Sequence, residues 1–478
     1  MLKDRTYIRV ILPLRLDWEP YYYVPAEMAK EGLAAGMRVS VLFARKKYLG
    51  VVSAAGVEPD VEESKINAVL SLERGLETIT ANELELWRFV SGYYLCTVGE
   101  VYKAAYPQLK VDKEVADAKR EEKRLFVIDR KLQALASRKE RLSAFLEKKR
   151  LAAERAKSDS SKKKFSDEAE KYASQISLVE QSMSMLEDEK VSGPDNVRCF
   201  ESSYEVSLSA AQNDAYSDVK SAFQEHLPVL LNGVTGSGKT EIYVKLALET
   251  MRQGKNVLYM IPEIAVSRQL EERLRRIFGA YLFTFHSKVT AAKREEVASE
   301  IRAGNYIVLG TRSSIFLPHH DLGLIIVDEE HDTSYKQDAP APRYNGRDTA
   351  LMLARIDGAE IILGTATPSL ESLYNCRIGR MKKVDLPERY YGASDSDVEI
   401  IDTSAERRKR GMAGNFSFKL IQRIRTALAD GGQVLLLRAR RAYSPAVQCT
   451  ACGDIPRCPH CNVPLSWHRQ EGILLCHY

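Results

Sequence analysis

Residues 233 to 240 read Gly233, Val234, Thr235, Gly236, Ser237, Gly238, Lys239 and Thr240, with the apolar run Pro228 to Leu231 before them and a helix-forming stretch from Glu241 after them. Strand, glycine loop and helix in that order make a P-loop, whose backbone N–H groups and following helix N-terminus face phosphates. Lys239 is expected to reach the β and γ oxygens and the Thr240 hydroxyl to ligate Mg²⁺. Downstream, the buried-strand pattern Leu322 to Val327 ends in Asp328, Glu329, Glu330 and His331. Asp328 at a strand end is placed to hold the metal, Glu329 to polarise an attacking water, and His331 to sense the γ-phosphate. The two motifs together define an NTPase site.

At 478 residues the chain exceeds one core, and roughly 100 to 200 residues per domain predicts three or four units. A net charge of +5 is too mild to argue for nucleic acid, so any such surface must be a local patch. No apolar run approaches the ~18 residues of a membrane span, which predicts a cytoplasmic protein with no membrane partner.

Hydrophobic periodicity divides the chain. Residues 1–80 alternate apolar and polar positions, predicting a small β-rich domain. Residues 81–207 begin with two short helices that suit a winged-helix unit, interrupted at about 112–190 by a charged stretch with apolar residues every three or four positions. Leu125, Ile128, Leu132, Leu135, Leu142 and Leu146 form one stripe; Phe165, Ala169, Tyr172, Ile176, Val179, Met183 and Leu186 form another. An antiparallel coiled-coil hairpin would bury both. Its basic outer face reads as a solvated surface before it reads as a nucleic-acid contact. Residues 208–390 alternate strands and helices, predicting a RecA-like, doubly wound α/β motor lobe. Residues 391–445 begin a second α/β layer, with strands expected at Val398 to Ile401 and Gln433 to Leu437 around a helix from Phe418 to Ala429.

Residues 446–478 carry Cys449, Cys452, Cys458, Cys461 and Cys476. Two residues between thiolates let both point at one tetrahedral ion, so Cys449/Cys452 and Cys458/Cys461 read as zinc knuckles. Five residues between the knuckles leave little room for all four to share one zinc.

Other segments carry a family likeness: Ile261 to Ile264, His286 with Ser287, Gly310 to Phe316, Ser334 to Gln337, Pro342 to Asp348 and Gly364 to Pro368. With the two NTP motifs they resemble the PriA family of primosomal replication-restart helicases, superfamily 2 enzymes that move 3′ to 5′ on DNA. The resemblance covers residues 1–110 and 195–478. It implies that Thr365 and Thr367 couple hydrolysis to movement, and that Tyr335 to Asp348 is an aromatic-rich loop. There Tyr335 and Tyr344 would stack on unpaired bases while Lys336, Arg343 and Arg347 meet phosphates. It implies that the β-rich domain captures a nascent 3′ end through Gly36 and Lys65, with Tyr21 standing where many members carry an acidic residue. It further implies two zincs per complete protein, with Cys458, Cys461 and Cys476 on one of them and Cys449 and Cys452 on the other. Arg440 to Tyr443 resembles a family Arg-Arg-Gly-Tyr with Ala442 in the glycine's place.

The implied activity is ATP-dependent unwinding at stalled or abandoned forks that starts primosome assembly, by a monomer. Its implied partners are forked and single-stranded DNA, single-stranded DNA-binding protein, primosome components and the replicative helicase loader. Ending at Tyr478, the chain is expected to lack part of its second lobe and both complete zinc sites. On that expectation it holds at most one zinc, with His477 or a knuckle cysteine as a substitute ligand, and does not unwind DNA. A module that binds forks and nucleotide without motor activity is the rival reading. A translocating subunit of a restriction system shares the D-E-x-H motif but gives no reason for zinc knuckles.

Overall fold

The computed structural model describes residues 6–476 except 31, 108–116, 156–158, 193–199, 201, 203, 263–267, 287, 288, 290, 303, 390–397, 438–445, 450, 451, 469 and 470. For parts of two long helices and for residues 291 and 292 it describes backbone alone. The expectations for Ile264, Ser287, Arg440 to Tyr443 and His477, and for the side chains of Leu125, Ile128 and Leu186, lie outside the described positions. The chain forms two units, Met1–Ala393 and Ser394–Tyr478.

Alternation of apolar residues builds the first part of unit 1. Strands β1 (Thr6–Ile11), β2 (Tyr21–Val24), β3 (Arg38–Phe43), β4 (Lys46–Ala55) and β5 (Asn67–Leu72) close into a barrel in the order β1-β2-β5-β3-β4, with a single turn of helix, α1 (Ala26–Ala29), after β2. Ile8, Val10, Val39, Val41 and Val52 fill its interior, and closure leaves no unpaired edge.

Helices α2 (Ala81–Tyr93) and α3 (Val98–Ala105) each start from a threonine that forms a reciprocal capping box, Thr80 with Glu83 and Thr97 with Glu100. Arg38 in the barrel donates to the Tyr102 hydroxyl at 2.8 Å. On the other side, Asn82 donates to Asp357 at 2.6 Å and Arg294 to the Ala105 carbonyl at 2.7 Å. The two helices therefore bolt the barrel to the α/β lobe.

The charged stretch forms α4 (Asp117–Arg155) and α5 (Asp159–Ser192), a hairpin. Phe145 stacks on Tyr172 with ring centroids 5.8 Å apart, Lys139 pairs with Glu180 at 2.8 Å, and Lys149 pairs with Glu168. Later residues of one helix meet earlier residues of the other, so the pair is antiparallel, as its two apolar stripes require.

The lobe begins with α6 (Ala210–Gln224) and continues as β6 (Val229–Gly233), α7 (Lys239–Arg252), β7 (Asn256–Met260), α8 (Arg268–Phe278), β8 (Leu282–Phe285), α9 (Ala291–Arg302) and β9 (Ile307–Gly310). It ends with β10 (Leu322–Val327), α10 (Gly346–Asp357), β11 (Glu360–Thr365), α11 (Leu370–Arg377) and β12 (Lys382–Leu386). Seven parallel strands lie in the order β12-β6-β11-β10-β7-β9-β8. The central strands are apolar on both faces because helices cover both, as a fully buried parallel sheet demands. Their C-terminal ends bring Gly233, Asp328 and Thr365 to one edge.

In unit 2, α12 (Thr403–Arg408) leads into a short hairpin of β13 (Met412–Ala413) and β14 (Phe416–Ser417), and the Ser417 hydroxyl caps α13 (Phe418–Ala429). A second hairpin, β15 (Ser466–His468) with β16 (Ile473–Leu475), follows the cysteine knuckles. The helix expected from Phe418 to Ala429 is present, but the strands expected at Val398 to Ile401 and Gln433 to Leu437 are not. Val398, Ile400, Leu435 and Leu437 stand more than four-fifths exposed. A strand exists only through hydrogen bonds to a neighbour, and among the described residues neither segment has one.

Candidate active site

Gly236 and Gly238 both adopt φ of +81°, the left-handed conformation that lets the loop turn its N–H groups inward before α7 begins at Lys239. The Lys239 ammonium donates to the Gly233 carbonyl at 2.8 Å, so it lies across the mouth of the loop. A residue that the P-loop motif alone does not reveal braces this turn. Gln212, buried in the first turn of α6, donates from Nε2 to the Ser237 carbonyl at 3.0 Å. Its signal was present in the sequence as the capping-box spacing Ser209-Ala-Ala-Gln212, which the structure forms.

Across from the loop, Asp328 ends β10. Burial, with Glu329 beside it, pushes its carboxyl up to about 6, against the pull of Lys239. Tyr243 of α7 and Tyr259 of β7 aim their hydroxyls at its two oxygens, at 3.3 and 3.4 Å. A Cβ on Gly364 would fall on the Tyr243 hydroxyl, so this close approach of β11 needs glycine. Glu329 takes a left-handed φ of +47°, unusual for a side-chain-bearing residue, which turns the chain sharply at the strand end. His331 Nδ1 lies 2.8 Å from the Thr365 hydroxyl, which accepts the Thr367 N–H at 3.0 Å. The sequence-expected pair Thr365 and Thr367 is thus physically joined to the D-E-E-H turn.

Glu330 has a different place. It is buried, and its carboxylate accepts from Arg347 at 3.0 Å, from the Ser369 N–H at 2.7 Å, and from the Ser369 and Ser372 hydroxyls at 2.9 Å each. This corrects the expectation that Arg347 meets phosphates: its guanidinium is spent on Glu330, Asp348 and Ser369.

The stacking expectation for Tyr335 and Tyr344 is corrected in the same way. Both are about 1% exposed. Tyr335 donates to the Asp328 carbonyl at 2.7 Å, and Tyr344 meets Phe316 edge-on at 4.9 Å. A buried phenol needs a partner for its hydroxyl, and each ring gains more as core than it would as an exposed platform. Lys336 and Arg343 do remain exposed at the loop. Arg312 holds the loop's base by donating to the Ser334 and Lys336 carbonyls at 2.7 and 3.0 Å.

On the barrel, Gly36 is buried at φ +91°, where a Cβ would strike the Ile79 carbonyl. Lys65 is exposed and paired with Glu62 at 3.0 Å. Tyr21 lies half-buried under Arg9, whose Nε donates to its hydroxyl at 3.1 Å.

In unit 2 the thiols of Cys458, Cys461 and Cys476 lie within 4.8 Å of one another. Backbone N–H groups of His460 and Cys461 pull the Cys458 thiol down to about 7, which favours the thiolate a metal needs. Three convergent sulfurs with one already poised for ionisation fit zinc. Cys449 and Cys452 lie outside this cluster.

Comparison with known proteins bears on the whole arrangement. Residues 9–107 match the model of the 3′ DNA-binding domain of PriA, residues 209–376 the DEAD/DEAH box helicase model, and residues 458–478 the Cys-rich region of PriA DNA helicase. The replication restart protein PriA of Haemophilus influenzae is 31% identical over 98% of this chain and 63% of its own length. The chain belongs to the PriA family. PriA of Rickettsia felis is 41% identical over 53% of this chain and 39% of its own length, and PriA of Bacillus subtilis is 35% identical over 59% and 35%. The chain thus spans less than two thirds of each PriA relative named here. The PriA 3′ DNA-binding model takes in the barrel together with α2 and α3. The PriA Cys-rich match covers the three convergent thiols and supports zinc binding by this region, while the DEAD/DEAH match implies use of nucleotide and Mg²⁺. No helix among the described residues is long and apolar enough to cross a membrane.

Proposed function

We propose that the protein is an ATP-dependent 3′–5′ DNA helicase that recognises stalled or abandoned replication forks and starts primosome assembly. The observation that carries this reading is the union, in one unit, of an ATP cradle facing a D-E-E-H turn and a barrel of the 3′ DNA-binding type fixed to the same lobe through α2 and α3. Partners on this reading are forked and single-stranded DNA, single-stranded DNA-binding protein, primosome components and the loader of the replicative helicase.

The division of labour follows from the side chains. Phosphates of ATP compete with the Gly233 carbonyl for the Lys239 ammonium and receive the N–H groups of residues 234–240. Thr240 and Asp328 would hold Mg²⁺, which neutralises phosphate charge when bound. Glu329 takes the proton of the attacking water, with its carboxylate 3.7 Å from His331 Nδ1. His331, through Thr365 and Thr367, carries the state of the site to the segment before α11. Lys336 and Arg343 supply the exposed positive charge of the loop beside it, while Tyr335, Tyr344 and Arg347 hold that loop from beneath.

The proposed domains are residues 1–80 for 3′-end binding, 81–207 with the hairpin at about 112–190 inserted, 208–390 as the first motor lobe, 391–445 as the start of the second, and 446–478 for zinc. Gly36 and Lys65 belong, on this reading, to the pocket for the 3′ end. Two zincs serve the complete protein, Cys449 and Cys452 belonging to the second.

The test is ATP hydrolysis by the full-length protein on a fork with a nascent 3′ end at the branch. Stimulation by that fork, and weaker binding when the 3′ hydroxyl is blocked, are expected. Hydrolysis indifferent to DNA, with equal binding to blocked and unblocked ends, would refute the proposal.

A further inference from the structure

The α4–α5 hairpin takes no part in the chemistry described so far, yet its charge is sharply uneven. Between Arg138 and Glu180, which bound the distal half where Lys139 meets Glu180 across the seam, the sequence holds twelve Lys or Arg against eight Asp or Glu. The remainder of the two helices, residues 117–137 and 181–192, holds seven against seven. The distal half alone thus carries a net charge of +4, against +5 for the whole chain, while the rest of the hairpin is neutral. A hairpin kept soluble by its outer face has no need of this polarity, since mixed charge along its full length would serve as well.

The seam is closed by residues that do not contribute to the excess. Lys139 and Lys149 are paired across it with Glu180 and Glu168, and Phe145 lies on Tyr172. By contrast Arg138, Arg141, Lys148, Arg150, Lys162 and Lys171 are exposed and make no ion pair among the described residues. Arg141 and Lys148, seven residues apart, return to the same helix face about 10 Å further along the axis.

We propose that the distal half of the hairpin is an arm that lies along the phosphate backbone of double-stranded DNA. At about 1.5 Å per residue the distal stretch of α4, from Arg138 on, spans roughly 27 Å, the length of about eight base pairs. Charge spread along a rod suits a polyanion of regular pitch, whereas a short acidic peptide is held by one compact cluster. In the sequence the arm lies between the segment matching the 3′ DNA-binding domain and the segment matching the helicase lobe. The inference rests on the proposed function only for the nature of the polyanion.

The test compares the full-length protein with a variant in which Arg141, Lys148, Arg150, Lys162 and Lys171 are replaced by Gln, leaving the seam intact. Binding to a blunt duplex, to a fork and to a single-stranded oligonucleotide with a free 3′ end is followed by fluorescence anisotropy across a salt series. The expected result is a duplex affinity at least about tenfold lower at low salt, with the log–log salt slope shallower by about 2 to 4. Binding of the single strand and DNA-independent ATP hydrolysis stay as they were. A second variant, Glu140, Glu147 and Glu170 to Gln, adds positive charge to the arm and is expected to tighten duplex binding and steepen the slope. Unchanged duplex affinity and slope in both variants overturn the proposal. So does an unchanged duplex affinity accompanied by lost binding of an acidic peptide, which assigns the arm to a protein. A parent protein that binds no DNA of any form refutes the proposed function and the arm together.

Discussion

Arg347 and Glu330 form a buried ion pair at 3.0 Å that joins the start of α10 to the turn following β10. Both side chains are at least nine-tenths buried, so neither charge has water to fall back on. Removing one partner strands the other, which typically costs about 3 to 5 kcal/mol. Arg347→Ala should therefore lower the thermal midpoint of unit 1 by several degrees, with Arg347→Lys intermediate because it keeps the charge and loses the fork. A midpoint unchanged in Arg347→Ala, with only the salt dependence of DNA binding altered, would restore the phosphate-contact reading that the structure corrects.

His319 supplies a pH dependence with a definite sign. It is buried, with Nε2 2.9 Å from the Ser314 carbonyl and Nδ1 3.0 Å from the Tyr306 hydroxyl, an arrangement satisfied by the neutral ring. Burial pulls it down from 6.5 to about 4. Above about 6.5 both folded and unfolded forms are neutral and the full contribution is present. Between about 6.5 and 4 only the unfolded chain takes up the proton, so stability falls with pH, by up to about 3 kcal/mol in all. Denaturant unfolding at several pH values should show this loss, and His319→Gln should flatten the slope in that window. An identical slope in the variant would contradict the assignment.

The zinc cluster makes a separate prediction for unit 2. Cys458 is one of the three convergent thiols, drawn toward its thiolate by backbone N–H groups, so Cys458→Ser should weaken zinc retention by at least about tenfold in competition with a chelator. Cys449→Ser should leave that zinc in place, because its thiol lies outside the cluster. Equal losses from the two substitutions would show that the knuckles share one ion.

What was legible in the sequence was what contiguous residues carry. The glycine loop, the D-E-E-H turn and the two stripes of the hairpin all write their geometry into neighbouring positions. What was not legible depends on residues far along the chain. Tyr335 and Tyr344 look like an exposed aromatic pair until the Asp328 carbonyl and Phe316 are seen to receive them. Glu330 is an unassigned acid until Arg347, Ser369 and Ser372 converge on it. Gln212 sits more than twenty residues before the loop that it braces. The apolar runs at residues 398–401 and 433–437 have the composition of strands, but composition does not supply the neighbour a strand pairs with.

The central claim is that the loop at residues 233–240 and the turn at residues 328–331 form one ATP site, with Lys239 as its phosphate ligand. Titration with a fluorescent ATP analogue in the presence and absence of Mg²⁺ tests it most directly. The account predicts saturable, Mg²⁺-dependent binding that Lys239→Ala weakens by about ten- to a hundredfold, the loss of a charge-assisted hydrogen bond of about 1.5 to 3 kcal/mol. Equal affinity in the two proteins, or binding indifferent to Mg²⁺, would contradict it.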